Sequence, residues 1–190
     1  MRLDIIQRDF SLDDGTVECF EKYAKTLLHW NNIHNLSGIH TLEEVYENIF
    51  DSIYPLKFIQ DFECCIDIGS GSGFPAIPLA ICKPQCEFVL IEPRFKRVSF
   101  LKNLIIELGL KYVKVEKCLI EDLQFAKQAD LITSRGVMQS EDLIKNAKRF
   151  LKKQGHYLFY KGERLGLEIN FLDSECFCRE KRVYFYRKEN

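Results

Sequence analysis

Asp67-Ile68-Gly69-Ser70-Gly71-Ser72-Gly73-Phe74-Pro75 is the stretch that decides the fold. The apolar run Cys64-Cys65-Ile66-Asp67-Ile68 stops at its glycines, and a helical pattern follows. Glycine lets a backbone turn tightly and leaves space where a side chain would meet a ligand. Pro75 suits the first turn of a helix, where no backbone N–H is required. Free N–H groups and the dipole make that helix start favourable for an anionic group. The glycines run Gly-x-Gly-x-Gly, whereas a dinucleotide site uses Gly-x-Gly-x-x-Gly to make room for a pyrophosphate.

Working outward, Glu87-Phe88-Val89-Leu90-Ile91 reads as the next strand, with Glu92 at its end and Pro93 opening another helix. A carboxylate in that place can accept hydrogen bonds from both ribose hydroxyls of a nucleoside cofactor and disfavours a 2′-phosphate. Further strands are expected at Tyr112–Val115, Asp130–Thr133, His156–Tyr160 and Val183–Tyr186, with helices over 94–108 and 140–153. Strands alternating with helices predict a mostly parallel, twisted α/β sheet of Rossmann type with helices on both faces. The stretch from Arg164 to Lys181 gives no clear pattern.

From about residue 14 to 60 the pattern is helical. Val17, Phe20, Ala24, Leu27 and Leu28 recur at three- and four-residue spacing on one face. Thr41-Leu42-Glu43-Glu44 fits a capping box for a second helix. The expectation is one domain over 1–190: an N-terminal helical extension over 1–60 that caps an α/β core over 61–190.

Composition narrows the function classes. The net charge of −1 argues against indiscriminate coating of nucleic acid, while leaving room for one local basic patch. Of the 8 cysteines, Cys82 and Cys86, and Cys176 and Cys178, have poor zinc spacing, so no metal site is expected. The four histidines form no ligand or nucleophile pattern. No export signal and no apolar run of membrane-spanning length is evident, and a reducing cytoplasm is expected. A monomer is expected.

The Gly-x-Gly-x-Gly loop preceded by Asp67 resembles motif I of S-adenosylmethionine methyltransferases. More of the chain resembles one family, the 16S rRNA (guanine-N7)-methyltransferases RsmG, long called glucose-inhibited division protein B. The resemblance lies in Trp30-Asn31-Asn32-Ile33-His34-Asn35-Leu36-Ser37, Asn48-Ile49-Phe50-Asp51-Ser52, Asp67 through Pro78, Lys96-Arg97-Val98-Ser99-Phe100-Leu101, Thr133-Ser134-Arg135-Gly136 and Tyr160-Lys161-Gly162. It implies methyl transfer from S-adenosyl-L-methionine to N7 of a guanosine in the decoding-region loop of 16S rRNA. It also implies cofactor contacts from Gly69, Phe74, Ile120, Glu121 and Arg135, added to Asp67, Gly71, Gly73 and Glu92. The family pattern has His, Gly, Asp and Ala where this chain has Asn48, Ala76, Glu92 and Gly136.

Arg135 is the favoured active-site side chain, facing the cofactor, an RNA phosphate or both, since methylation of guanine N7 requires no general base. Asn35 and Asp51 are candidates for ordering the cap over the cofactor. Arg94, Lys96 and Arg97 after Glu92, with Lys161 after the fifth strand, are candidate RNA contacts. Lys145, Lys148, Arg149 and Lys152 read as a solvated basic stripe on one helix. A methyltransferase of a small molecule or protein, and a non-catalytic nucleoside-binding module, are the competing readings.

Overall fold

The computed structural model describes residues 1–189. Its centre is a seven-stranded sheet in the order β3-β2-β1-β4-β5-β7-β6. β1 (Cys64–Ile68), β2 (Glu87–Ile91), β3 (Val113–Glu116), β4 (Ala129–Arg135) and β5 (Leu151–Lys161) run parallel. β7 (Arg182–Lys188) lies antiparallel to β5, and β6 (Cys176–Arg179) antiparallel to β7 at the edge. The chain steps outward from β1 to β2 and β3, then returns to lay β4 on the other side of β1. A crevice opens at such a reversal, outside the carboxyl ends of the strands.

Strand period two sorts the side chains into two cores. Cys65, Phe88, Leu90, Leu131, Leu158 and Tyr160 face the N-terminal helices. Ile66, Ile68, Val89, Ile91, Ile132 and Phe159 face the opposite side. On the first side pack α1 (Leu3–Phe10), α2 (Asp14–His34), α3 (Leu42–Ile53), α4 (Ala76–Cys82) and α5 (Phe95–Leu108). The second side is covered by α6 (Ser140–Ala147) and short turns carrying Ile120, Phe150 and Leu165. Residues 1–60 therefore share one continuous core with a face of the sheet. α1 begins before the helical pattern read from residue 14.

The helix starts follow their caps. Asp13 accepts the Thr16 N–H at 2.8 Å to begin α2. Thr41 and Glu44 form the reciprocal box at α3, with Glu44 N–H to Thr41 at 3.2 Å and Thr41 N–H to Glu44 at 3.0 Å. α4 starts at Ala76, so Pro75 sits one residue outside the first helical position expected for it.

Two expectations need correction. The helix read over 140–153 ends at Ala147, a single 3-10 turn follows, and β5 is already formed at Leu151, which pairs with Ala129. Leu143, Ala147, Phe150 and Leu151 mimic a helical period, but Phe150 and Leu151 bury their side chains as the chain enters the sheet. The basic stripe dissolves with that helix. Arg149 donates to the Glu121 carbonyl at 2.6 Å, and Lys152 pairs with Asp130 at 2.7 Å from the strand. The second correction is the strand β6, inside the stretch that showed no pattern.

Candidate functional site

The crevice holds a cavity of about 340 Å³. Its walls are the glycine loop after β1, Glu92 to Arg94 after β2, and Arg135 to Val137 after β4, with Leu36 and Ser37 of the α2–α3 connection overhead. All three strand ends meet there because β2, β1 and β4 are neighbours in the sheet.

The glycine loop is fastened from several directions. The N–H groups of Gly69 and Ser70 both donate to the Ile91 carbonyl, at 2.8 and 3.0 Å. The Tyr23 hydroxyl donates to the Ser72 carbonyl at 2.8 Å. Gly69 sits at φ 72°, and a Cβ there would fall 2.3 Å from a Val137 methyl. Gly73 sits at φ 101°, and a Cβ would meet Ile77 at 2.7 Å and the Tyr23 hydroxyl at 3.1 Å. L-residues rarely adopt these angles, so glycine is required by the backbone as well as by the space.

Glu92 is 2% exposed and braces the loop. One carboxylate oxygen accepts the Gly71 N–H at 2.9 Å, and the other accepts the Arg94 N–H at 2.9 Å. Arg97 approaches the first oxygen at 3.7 Å and donates to the Leu36 carbonyl at 3.3 Å. Each oxygen can accept more than one hydrogen bond, so acceptor capacity remains for a ligand.

Asp67 lies at the end of β1 and is 1% exposed. One oxygen accepts the Thr133 hydroxyl at 2.7 Å, while the other is buried with no hydrogen-bond partner among the described residues. Burial pushes this carboxyl up to about 6. A buried carboxylate oxygen left unpaired is costly, and such groups are uncommon in folded proteins.

Arg135 reaches the cavity across the Phe74 ring, with its guanidinium carbon 4.8 Å from the ring centre. Asp51 of α3 receives Arg135 at 3.3 Å, Arg182 at 2.9 Å and the Tyr184 hydroxyl at 2.9 Å. One carboxylate thus ties the N-terminal helices to β4 and β7 beside the cavity.

The structure brings Gly69, Gly71, Phe74, Glu92, Arg94, Arg97 and Arg135 together on the cavity. Gly73 and Asp67 stand behind it, in the loop and at the strand end. Ile120 and Glu121 lie outside its lining. Ile120 is buried in the second core, and Glu121 accepts from Asn146 at 2.8 Å. Lys96 is exposed on the first turn of α5. Lys161, read as an RNA contact, is 7% exposed and turned inward, 2.6 Å from Glu168 and donating to the Met138 carbonyl at 2.8 Å. Asn35 ends α2 in a left-handed conformation. The fastening of the loop above the cavity falls to Asn31, which donates to the Ile39 carbonyl and accepts the Ser37 N–H at 2.7 Å. Asn31 and Tyr23 were not singled out for the site. Both offered the signal of a polar group on the buried face of an amphipathic helix, and Asn31 also stands in the Trp30–Ser37 segment that carries the resemblance.

With that geometry in place, the comparisons are specific. The chain matches the GidB family model, rRNA small subunit methyltransferase G, over residues 16–190. It is 53% identical to ribosomal RNA small subunit methyltransferase G of Helicobacter hepaticus, covering 88% of this chain and 92% of that one. To the protein of the same name in Helicobacter pylori it is 52% identical, covering 89% and 95%. Among solved structures, a precorrin-6y C5,15-methyltransferase from Geobacter metallireducens superposes with a TM-score of 0.58, at 18% identity, over 82% of this chain and 90% of that one. That likeness shows the methyltransferase fold alone. The glycine loop, the acid after β2 and the matched length together place the chain, which belongs to the family of rRNA small subunit methyltransferase G.

Proposed function

We propose that this chain transfers a methyl group from S-adenosyl-L-methionine to N7 of a guanosine in 16S rRNA. It would act as a monomer on the small ribosomal subunit in the cytoplasm. The observation that carries this reading is the cavity at the ends of β1, β2 and β4, in a chain about half identical to proteins named for rRNA methylation.

The residues present fit the cofactor. Behind the loop, Asp67 keeps one buried oxygen with no partner among the described residues, so it can accept a hydrogen bond. Glu92 offers a carboxylate already oriented by two backbone N–H groups. Gly69, Gly71 and Phe74 leave backbone and a ring face on the cavity, Gly73 shapes the loop behind them, and Arg135 lies against Phe74. Ile120 and Glu121, after β3, would contribute from beyond the lining. When bound, the cofactor supplies a sulfonium methyl, an electrophile strong enough for direct transfer.

The chain's own work is then alignment. Guanine N7 carries an in-plane lone pair and no proton, so no side chain has to remove one. Arg135 is held on the cavity by its hydrogen bond to Asp51 and its contact with the Phe74 ring. Fixing donor and acceptor in line and excluding water can supply on the order of 7–11 kcal/mol of the barrier. A strain lacking this chain should carry an unmethylated guanosine at the target, read by chemical cleavage at 7-methylguanosine. Full methylation there would contradict the proposal.

A further inference from the structure

Phe95 opens α5 immediately after the cavity wall, and it is 68% exposed. Pro93, Arg94 and Arg97 line the cavity, but Phe95 does not, so its ring lies outside the chamber that would hold a cofactor. The Lys117 ammonium stands 5.3 Å from the ring centre, bringing the end of β3 over the start of α5. Arg94 and Lys96 flank the ring in sequence and are exposed. Arg97 is engaged by Glu92, whereas Arg94, Lys96 and Lys117 form no ion pair with a carboxylate among the described residues.

An exposed aromatic ring among cations that have no carboxylate partner among the described residues, beside the cavity at the carboxyl edge of the sheet, is suited to one kind of partner. Single-stranded nucleic acid offers flat bases to stack and adjoining phosphates to neutralise. The net charge of −1 makes this concentration of positive charge local.

We infer that Phe95 is a stacking platform for an unpaired base of the substrate RNA, with Arg94, Lys96 and Lys117 receiving the adjoining phosphates. This rests on the RNA reading above and names an RNA-binding surface at the rim of the cofactor cavity, whose wall Arg94 also forms. The base that stacks here is separate from the guanosine that is methylated.

The test compares Phe95→Ala, Phe95→Leu and Phe95→Trp with the parent chain. Binding is measured to extracted, undermethylated 16S rRNA and to intact small subunits, and cofactor affinity is measured by calorimetry. The ring is exposed, so the variants should fold as the parent does. Stacking on an aromatic side chain is sequence-tolerant and substantial, so Phe95→Ala should weaken binding to both RNA probes by about tenfold or more. Phe95→Leu should behave like Phe95→Ala, Phe95→Trp like the parent, and cofactor affinity should be unchanged in all three.

Equal RNA binding by Phe95→Ala and the parent would overturn the inference. So would a parallel loss of cofactor affinity, which would make the ring part of the nucleoside site. A loss confined to intact subunits and rescued by leucine would point to a ribosomal protein instead, and would also overturn it. A parent chain that binds neither RNA probe and transfers no methyl group would remove the RNA reading itself. A parent that transfers methyl while Phe95→Ala retains full RNA affinity would remove only the stacking claim.

Discussion

At the scale of single residues, one carboxylate, Glu92, lines the cavity, a second, Asp67, lies buried behind it, and their environments differ. Glu92 accepts two backbone N–H groups and faces Arg97 at 3.7 Å, and it braces the loop it touches. Replacing it with Ala should raise the cofactor dissociation constant by about tenfold or more, since hydrogen bonds to a charged group contribute about 1.5–3 kcal/mol. Glu92→Asp should lose much less. A calorimetric titration showing equal affinity for Glu92→Ala would remove Glu92 from the binding site.

Asp67 costs stability in the free protein. Its carboxyl titrates near 6 when folded and near about 3.9 when unfolded, so the folded chain holds the proton more tightly. Stability from this group is complete below the unfolded value and is lost as pH rises through 6. At pH 7.5 the Asp67→Asn variant should therefore melt at or above the parent temperature, with the difference shrinking towards pH 4.5. The ceiling on the gain is on the order of 2–3 kcal/mol. The same variant should bind cofactor more weakly. Unchanged affinity, or a variant that melts lower at pH 7.5, would contradict the assignment.

These residues were legible because the signal was local: an acid, three glycines and a second acid lie within one strand–helix–strand unit. The pairing of Asp51 with Arg135 was not, because 84 residues separate the partners and only the docking of α3 beside β4 joins them. Lys161 was misread for a related reason. Its partner Glu168 falls in the stretch without pattern, so nothing signalled that the ammonium turns inward.

At the scale of elements, the glycine loop and α3 are where backbone and packing set the site. Gly69→Ala would place a Cβ at φ 72° and 2.3 Å from Val137. The left-handed conformation costs an L-residue about 1–2 kcal/mol. For a chain of this size that predicts a melting temperature lower by about 2–8 °C. Cofactor affinity should fall further than stability does, because Val137 is a wall of the cavity.

Asp51 makes the counterpart claim for α3. Asp51→Ala leaves Arg135, Arg182 and Tyr184 without their shared acceptor. Removing one side of a buried ion pair costs about 3–5 kcal/mol. Urea unfolding should show a loss of that order, and a loss under about 1 kcal/mol would show that α3 is fastened mainly by its apolar contacts. Element boundaries were legible where caps or glycines marked them, as at Thr41 and Gly69. They were not at Ala147, where buried residues at helical spacing conceal a change from helix to strand. β6 gave little signal because a short edge strand with half-buried residues shows no clean alternation.

At the scale of the whole molecule, the parallel centre followed from strand–helix alternation, and the reversal at β1 explains why the cavity lies where it does. The antiparallel β7–β6 edge and the merging of residues 1–60 into the core depend on long-range packing that no local pattern displays. That merging has a consequence for function. Leu36 and Ser37 roof the cavity from a loop anchored by Asn31, so the N-terminal helices complete the site as well as supporting the sheet.

The most direct test of methyl transfer to 16S rRNA incubates the purified chain with methyl-labelled S-adenosyl-L-methionine and small ribosomal subunits from a strain lacking this protein, then maps the label. Label on N7 of one guanosine in the decoding-region loop is the predicted result. Absence of label on both subunits and extracted 16S rRNA, with cofactor binding confirmed in the same preparation, would contradict the account and favour a small-molecule or protein acceptor, or a chain that binds the cofactor without turnover.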